Sequence, residues 1–356
     1  MNEYWTDVLS LGLRGRGWTD EPREQPFDRL PQSDAANLEA DLSRLTRQSA
    51  GLYVDFVTAA DTIIASWSID ESYAGSDHPY MTPVAVAGLD LYGMDADGSW
   101  KWAGCRGPEE SSGGEGALNR SPLDGIKRRY RLYFPLRSRL LSCRIRALRH
   151  GSDATVLRPP DDPGTSGNDP ARAVCYYGTS IVHGVGVDRP GMAHASQLGR
   201  ILGREVINLG LAGRARCEPE IAAALNRLDP ALFVFDVLPN NAADDIYERV
   251  CGFVRLIRAH HASVPVVLIG DREFGDAPFC PERRATRVAK DAELLKAVEA
   301  LQVEGCPKLY PLLHSSWFGD DCEGTVDASH PNSLGATRFA SVLARLLGAI
   351  LSAERA

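Results

Sequence analysis

Five short apolar runs separated by helical stretches dominate the C-terminal half of this 356-residue chain. In the last two helical stretches, apolar side chains recur every three to four residues. Short buried strands that alternate with helices predict a parallel sheet covered on both faces. The predicted strands are residues 173–177, 205–209, 232–237, 265–269 and 308–311. The predicted helix faces are Val288, Ala292, Leu295, Val298 and Leu301, and then Leu334, Phe339, Val342, Leu346 and Ile350.

The first 150 residues have a period of two instead. Apolar and polar side chains alternate most clearly over residues 141–147, and also over 52–56 and 130–134. This pattern predicts antiparallel strands with one face on a core and the other polar. An antiparallel β-sandwich is therefore the expected fold, with one helix at residues 35–46.

Two segments rich in Gly, Pro, Asp and Ser interrupt these patterns. Residues 151–172 are interpreted as a linker, so the predicted domains are residues 1–150 and 173–356. Residues 104–122 have a similar composition between two strand-like runs, and they are predicted to form a long mobile loop.

The charge balance argues against nucleic-acid binding. The chain has 39 Lys+Arg against 47 Asp+Glu, a formal net charge of −8, and no basic stripe. The apolar runs are too short to cross a bilayer, and an early Glu3 and Asp7 are unlike a signal peptide. The eight cysteines contain no CxxC pair, which predicts buried free thiols in a reducing cytoplasm and no zinc site.

Functional side chains are expected at the carboxyl ends of the parallel strands. Ser180 follows the first predicted strand, where it is either a nucleophile or a helix N-cap. Gly213 follows the second, and Asn240 and Asn241 follow the third, where an amide can donate to a ligand or cap a helix.

An Asp-x-x-His sequence lies before the last helix, at Asp327 and His330. This spacing lets the carboxylate bind one imidazole nitrogen while the other faces a nucleophile. A serine hydroxyl needs such a base to take its proton. His183 and His194 lie near Ser180 in sequence alone, and we do not expect either to be the base.

These segments resemble a known family. Tyr177-Gly178-Thr179-Ser180, the segment 208–213, Asn240 and Asp327-x-x-His330 look like the four blocks of the SGNH (GDSL-type) hydrolases, over residues 173–352. The GLDLY sequence at 88–92 resembles the GxDLY signature of a β-sandwich domain that precedes a subgroup of these hydrolases. Residues 189–192 and 324–327 are also typical of that subgroup.

The resemblance implies a flavodoxin-like five-stranded parallel sheet between helices, preceded by an antiparallel, jelly-roll-like β-sandwich. It implies Ser180 as the nucleophile, His330 as the general base and Asp327 as the carboxylate that orients it. The oxyanion hole would be the backbone N–H groups of Ser180 and Gly213 and the side chain of Asn240. The family's block spacing favours Asn240 over its neighbour, and the chemistry requires no metal and no organic cofactor.

This chain departs from the family pattern at two positions. Thr179 stands where the GDS signature has Asp, which is not the triad member, and Ala212 stands where a serine is common. Asp188, Arg189 and Arg214 lie on loops near the site, and we interpret them as solvated charges in preference to substrate contacts.

The expected activity is hydrolysis of acyl esters, with acetyl and other short chains favoured, of a carbohydrate or other small hydroxylated molecule through an acyl-serine. The alternative is acyl transfer to a natural-product hydroxyl, which residue types do not separate from hydrolysis. A third hypothesis is a non-catalytic glycan-binding protein, with Trp100 and Trp102 as a sugar platform. We favour a core role for both tryptophans. The sequence does not determine whether the chain forms a homo-oligomer.

Overall fold

The computed structural model describes residues 4–73, 79–160 and 172–354. Two five-stranded antiparallel sheets in its first half enclose an apolar core, as the alternating pattern predicts. The strands of one sheet, in spatial order, are Thr6–Asp7 (β1), Leu140–Arg149 (β9), Thr62–Ile69 (β4) and Gly113–Ala117 (β7), with Ser152–Ala154 (β10) also paired to β9. Those of the other are Leu13–Arg14 (β2), Tyr53–Thr58 (β3), Arg128–Tyr133 (β8), Leu89–Met94 (β5) and Trp100–Arg106 (β6).

The second half contains a parallel five-stranded sheet in the order β12-β11-β13-β14-β15. In chain order this is 2-1-3-4-5, the flavodoxin-like order, in which ligands bind where the winding reverses, between β11 and β13. Each strand starts within one residue of its predicted start. The strands are Val174–Gly178 (β11), Val206–Gly210 (β12), Leu232–Asp236 (β13), Val266–Ile269 (β14) and Leu309–Leu312 (β15).

Helices cover both faces of this sheet. Apolar side chains of α5 and α9 pack on one face, and those of α6, α7 and α8 pack on the other. The helices of this half are Ser180–His183 (α4), His194–Leu202 (α5), Pro219–Leu225 (α6), Ala243–Arg258 (α7), Pro281–Val303 (α8) and Ser333–Ala353 (α9). The first half has three short ones, Gln32–Ala35 (α1), Ala40–Thr46 (α2) and Pro83–Ala87 (α3).

Helix α9 is long and apolar enough to span a membrane, by length and composition alone. In this fold its side chains Phe339, Leu343 and Leu347 are fully buried in the core beneath the parallel sheet. The same apolarity is therefore used for packing within the protein.

The predicted mobile loop at 104–122 was wrong. Residues up to Arg106 belong to β6, and Gly113–Ala117 is an edge strand paired with β4. The glycine at 113 is required there, because a Cβ would lie 2.1 Å from the backbone oxygen of Trp67. A composition typical of loops thus reflects close backbone pairing.

Two helix predictions were also wrong in part. The helix expected at 35–46 is broken into α1 and α2, and between them the Asn37 amide donates to the carbonyl of Ser33 in competition with the helical backbone. In α8, Val288 and Leu295 are exposed, and the buried face begins with Lys290 instead. Two charged side chains on that face, described below, hide it from an apolar pattern.

The outer face of the second sandwich sheet is buried as well, which the predicted polar face did not anticipate. Tyr133 Oη donates to the carbonyl of Ser196 on α5, and the Asp55 carboxylate binds the guanidinium of Arg131. The sheet therefore lies between its own core and the half that contains the parallel sheet, and polar side chains on this face pair with one another.

Residues 15–48, here called the N-terminal arm, cross to the second half. Trp18 Nε1 donates to the carbonyl of Ala224 at 3.0 Å, and Trp18 lies in the core on the α6–α8 side of the parallel sheet. The fully buried Arg29 donates through Nη1 to the carbonyls of Asn208 and Gly210, each at 3.0 Å. The domain boundaries at 150 and 173 stay a prediction, and residues 161–171 of the proposed linker lie outside the described residues.

Candidate active site

Ser180 begins α4, directly beyond the carboxyl end of β11. The buried strand ends at Gly178, where a Cβ would lie 2.4 Å from Val182 Cγ2 and 2.9 Å from the backbone oxygen of Asp236. Only glycine allows the strand to turn this tightly into the helix. The turn places the buried Ser180, 7% exposed, at the edge of the sheet.

A chain of hydrogen bonds joins Ser180, His330 and Asp327. Ser180 Oγ lies 2.8 Å from His330 Nε2, and His330 Nδ1 lies 2.7 Å from Asp327 Oδ2. These are the three residues that the Asp-x-x-His spacing and the strand-end serine predicted to meet. The serine is therefore in contact with a histidine whose second nitrogen is held by a carboxylate.

The loop carrying these two residues is held by its own backbone. Asp327 Oδ1 accepts the backbone N–H of His330 at 2.7 Å and that of Ser329 at 3.1 Å. Ala328 adopts a left-handed φ of 70°, and its carbonyl accepts the N–H of Gly275 at 2.8 Å. The carboxylate therefore keeps its direction without help from the imidazole.

The same contacts set the charge of Asp327. Burial raises its pKa, but hydrogen bonds from the backbone and side chain of His330 outweigh burial, so the pKa lies below its ordinary value. Asp327 is thus ionised at neutral pH and accepts a proton-bearing Nδ1, which leaves Nε2 free to take the serine proton.

Gly213 and Asn240 lie on loops beyond neighbouring strands. In the sheet, Gly178 is in register with Gly210 on one side and with Asp236 on the other, so these loops leave the same edge as Ser180. The Asn240 amide donates to the carbonyl of Arg214 at 2.6 Å, which ties it to the Gly213 loop. One N–H of that amide remains for a ligand.

Asn241, the other candidate donor, is turned away from the loop. It is 4% exposed, and its amide donates to the carbonyl of Val237 at 2.8 Å within its own turn. The structure therefore gives Asn241 a structural contact and Asn240 the contact with the Gly213 loop.

The Gly213 loop has an unusual backbone. Gly213, Ala215 and Cys217 have φ values of 75°, 64° and 68°. The left-handed region is costly for the latter two, so other contacts must hold the loop. The fully buried Tyr177 supplies one, because its hydroxyl accepts the N–H of Cys217 and donates to the Glu218 carboxylate. No pattern in the sequence indicates this role for Tyr177.

The two other histidines near Ser180 have different partners. His183 is fully buried and its Nε2 lies 2.8 Å from the carbonyl oxygen of Leu136. His194 stacks on Phe339, and burial lowers its pKa to about 3. Both histidines are therefore engaged by groups other than Ser180.

The loop charges were partly misjudged. Arg189 is not simply solvated, because its guanidinium binds the fully buried Asp90 of the GLDLY sequence at 3.0 Å. Asp188 accepts a hydrogen bond from Ser333 on α9 at 2.7 Å. Arg214 pairs with the exposed Glu39 of the N-terminal arm at 3.1 Å. These residues join elements of the fold around the site.

The two tryptophans differ, because Trp100 packs against a buried aromatic cluster as a core role predicts, whereas Trp102 is exposed but is not a free platform. Trp102 is 54% exposed, its Nε1 donates to Asp90 Oδ1 at 3.0 Å, and Arg189 lies over its ring. Trp100 is half-buried with the Arg131 guanidinium 4.6 Å from its ring centre. Both rings are therefore engaged by arginines of the domain boundary.

The cysteine prediction also needs correction. All eight cysteines lie in the described residues and none forms a disulfide. Four are buried, three are half-buried and Cys322 is exposed. Burial therefore applies to only half of the thiols.

A flavodoxin-like sheet with a serine, histidine and carboxylate bonded in series at its switch point defines a serine hydrolase of the SGNH class. The sequence model of the GDSL-like lipase/acylhydrolase family matches residues 171–348, and that of the N-terminus of SGNH-hydrolase-type esterases, named GxDLY, matches residues 3–148. The chain belongs to the GDSL-like lipase/acylhydrolase family and carries the GxDLY domain before it.

Solved structures show the same two-part architecture. A GDSL-like lipase from Bacteroides ovatus ATCC 8483 is 29% identical with a TM-score of 0.86, over 98% of each chain. A salicylyl-acyltransferase from a tetracycline biosynthetic pathway is 19% identical with a TM-score of 0.72, over 98% of this chain and 95% of the other. A family two carbohydrate esterase from Clostridium thermocellum is 12% identical with a TM-score of 0.57, over 85% and 93%. Among curated proteins, no sequence matches the chain.

Proposed function

We propose that this enzyme hydrolyses short acyl esters, with acetyl favoured, of a carbohydrate or other small hydroxylated molecule. The observation that carries the proposal is the hydrogen-bonded series Ser180–His330–Asp327, with its contacts of 2.8 and 2.7 Å. The family comprises lipases and acylhydrolases, and the carbohydrate esterase among the structural neighbours supports the choice of alcohol.

In the proposed mechanism Ser180 Oγ attacks the ester carbonyl carbon while His330 Nε2 takes its proton. The carbonyl oxygen becomes an oxyanion, held by the backbone N–H groups of Ser180 and Gly213 and the free N–H of Asn240. His330 then gives the proton to the leaving alcohol, and an acyl-serine remains. A water molecule, deprotonated by His330, attacks the acyl carbon and releases the acid and the free serine.

A cavity of about 410 Å³ beside the catalytic loop supports the proposal that the alcohol part of the ester carries several hydroxyl groups. It borders residues 324–325, just before Asp327, at the edge of the sheet beyond β14 and β15. Its lining combines aromatic rings with side chains that exchange hydrogen bonds, including Phe274, Phe318, Ser315, Ser316 and Arg284. Such a mixture suits a sugar, which has apolar faces and hydroxyl edges.

The test is hydrolysis of p-nitrophenyl acetate, butyrate and octanoate by the wild type beside Ser180→Ala. We expect turnover that falls with chain length and is lost in the variant, about 10⁴-fold or more. Ser341→Ala, an exposed serine on α9, is the matched control and should leave the rate unchanged. Turnover by Ser180→Ala near the wild-type rate would exclude Ser180 as the nucleophile.

Acyl transfer is the second candidate, favoured by the salicylyl-acyltransferase that aligns over both halves of the chain. A transferase would acylate Ser180 and wait for an alcohol. A stoichiometric burst of p-nitrophenol without turnover, followed by release of the acyl group on adding an alcohol, would replace the hydrolase proposal with this one.

The free thiols support our further proposal that the enzyme works in the cytoplasm.

A further inference from the structure

Lys290 on α8 is a buried ammonium, 6% exposed, on a helix face whose other buried side chains, apart from Asp291, are apolar. Its N–H groups donate to the carbonyl of Leu238 at 3.0 Å and to that of Pro239 at 3.2 Å. The ammonium also forms an ion pair with Asp271, with Nζ and Oδ2 3.3 Å apart. Because an apolar pair of similar volume is often at least as stabilising as a buried ion pair, stability alone does not account for these charges.

The two carbonyls lie immediately before Asn240. Leu238–Asn240 is a single 3-10 turn at the end of β13, and Lys290 binds its first two residues from behind. The Asn240 side chain leaves the other end of the turn and donates to Arg214. The turn is therefore held on one side by α8 and on the other by the Gly213 loop.

Asp271 sets the position of the ammonium in turn. It follows β14, the strand beside β13, and its Oδ1 accepts the backbone N–H of Arg272 at 3.0 Å. Its own N–H donates to Asp291 at 2.8 Å, one residue after Lys290 on α8. The next strand end and the helix thus form one rigid support for the turn.

We infer that Lys290, paired with Asp271, is a positioning residue that directs the free N–H of the Asn240 amide at the oxyanion. The inference rests on the proposed function. A donor stabilises a developing oxyanion only if it is already in place, and a displacement of about 1 Å can cost 100-fold in rate. Lys290 makes this contribution without contacting the substrate.

The test removes both charges together, as Lys290→Met/Asp271→Asn, so that neither is left alone in the core. We expect kcat for p-nitrophenyl acetate to fall about 10- to 100-fold with KM within about twofold. Arg255→Met/Glu304→Gln removes an ion pair between α7 and α8 at the protein surface, and it is the matched control that should keep the wild-type rate. Lys290→Arg, which keeps the charge with different donor positions, gives a second variant with a smaller loss.

A structural effect alone would not depend on Asn240. We therefore compare Asn240→Ala with a triple variant that carries Asn240→Ala together with Lys290→Met and Asp271→Asn. The triple variant should be no less active than Asn240→Ala alone. The rate of Ser180 phosphorylation by diethyl p-nitrophenyl phosphate should follow kcat across the set. The inference would be overturned if the loss of kcat in the triple variant equalled the product of the losses in Asn240→Ala and in the Lys290/Asp271 variant. It would also be overturned by a kcat of the Lys290/Asp271 variant within twofold of the wild type. Neither result would affect the proposed function. A wild type that neither turns over the ester nor reacts with the phosphate would overturn the proposed function, and this inference with it.

Discussion

Asp90 and Arg189 form an ion pair across the boundary between the β-sandwich and the catalytic half, with Oδ2 and Nη1 3.0 Å apart. The same carboxylate oxygen accepts the N–H of Gly191 at 2.8 Å. The GxDLY and Arg-Pro-Gly-Met sequences, which resemble two separate signatures of the subgroup, are thus two sides of one contact. This contact holds the segment that follows α4, the helix that begins with Ser180.

Asp90→Ala should therefore destabilise the whole chain. Removing one partner of a buried ion pair leaves the other uncompensated and costs about 3 to 5 kcal/mol. We expect a clearly lower midpoint of thermal unfolding, followed by circular dichroism. Glu304→Ala breaks a pair in which both side chains are over 40% exposed, and it should shift the midpoint far less, because solvent screens exposed charges. Equal shifts for the two variants would contradict a clamp at Asp90.

Asp327→Asn should slow turnover by about 10⁴-fold with little change in KM. An amide at this position can donate to Nδ1, which favours the tautomer whose Nε2 carries a proton and cannot accept one from Ser180. The measurement is steady-state hydrolysis of p-nitrophenyl acetate. A rate close to wild type would mean that the imidazole is oriented by another group.

The two adjacent asparagines should separate activity from stability. Asn240→Ala is expected to lower kcat about 100- to 1000-fold, as loss of one oxyanion donor does, with an almost unchanged unfolding midpoint. Asn241→Ala removes a buried amide and should lower stability by about 1 to 3 kcal/mol. The reverse pattern would transfer the donor role to Asn241.

Acid should remove the stabilisation that Asp327 contributes. Its folded pKa lies below the ordinary value of 3.8, so the contribution is present above about pH 4 and is lost as the pH falls through the folded pKa. The difference in unfolding midpoint between wild type and Asp327→Asn should therefore shrink as the pH falls from 5 to below 4. A difference that grows over this acid range would mean that the fold raises the pKa of Asp327.

The sequence predicted the parallel sheet well, because short buried runs between helices have few other interpretations. It also predicted the pairing of Ser180 with His330, since the carboxyl ends of parallel strands meet at one edge of the sheet and Asp327 lies three residues from its histidine. The supports behind the site were invisible. Lys290 and Tyr177 act through backbone groups, which carry no mark in the sequence, and the charge of Lys290 hid the buried face of its own helix.

The failures in the first half have a related cause. Glycines 113, 114 and 116 are typical of loops when read as composition, yet there they permit close strand pairing. The polar residues of β3 and β8 predicted a face in water, whereas the catalytic half covers them and they pair with one another. Which surface a second domain covers is a tertiary property that alternation within one strand does not contain.

The contacts of the N-terminal arm also bear on the order in which the chain is made. Trp18 and Arg29 leave the ribosome about 180 to 200 residues before the carbonyl groups that they bind, at Ala224, Asn208 and Gly210. The sandwich strands can pair during synthesis, but the Trp18 indole and Nη1 of Arg29 have to wait for these acceptors until β12 and α6 emerge. The N-terminal arm, although it is synthesised early, can therefore pack only after β12 and α6 of the catalytic half have been made.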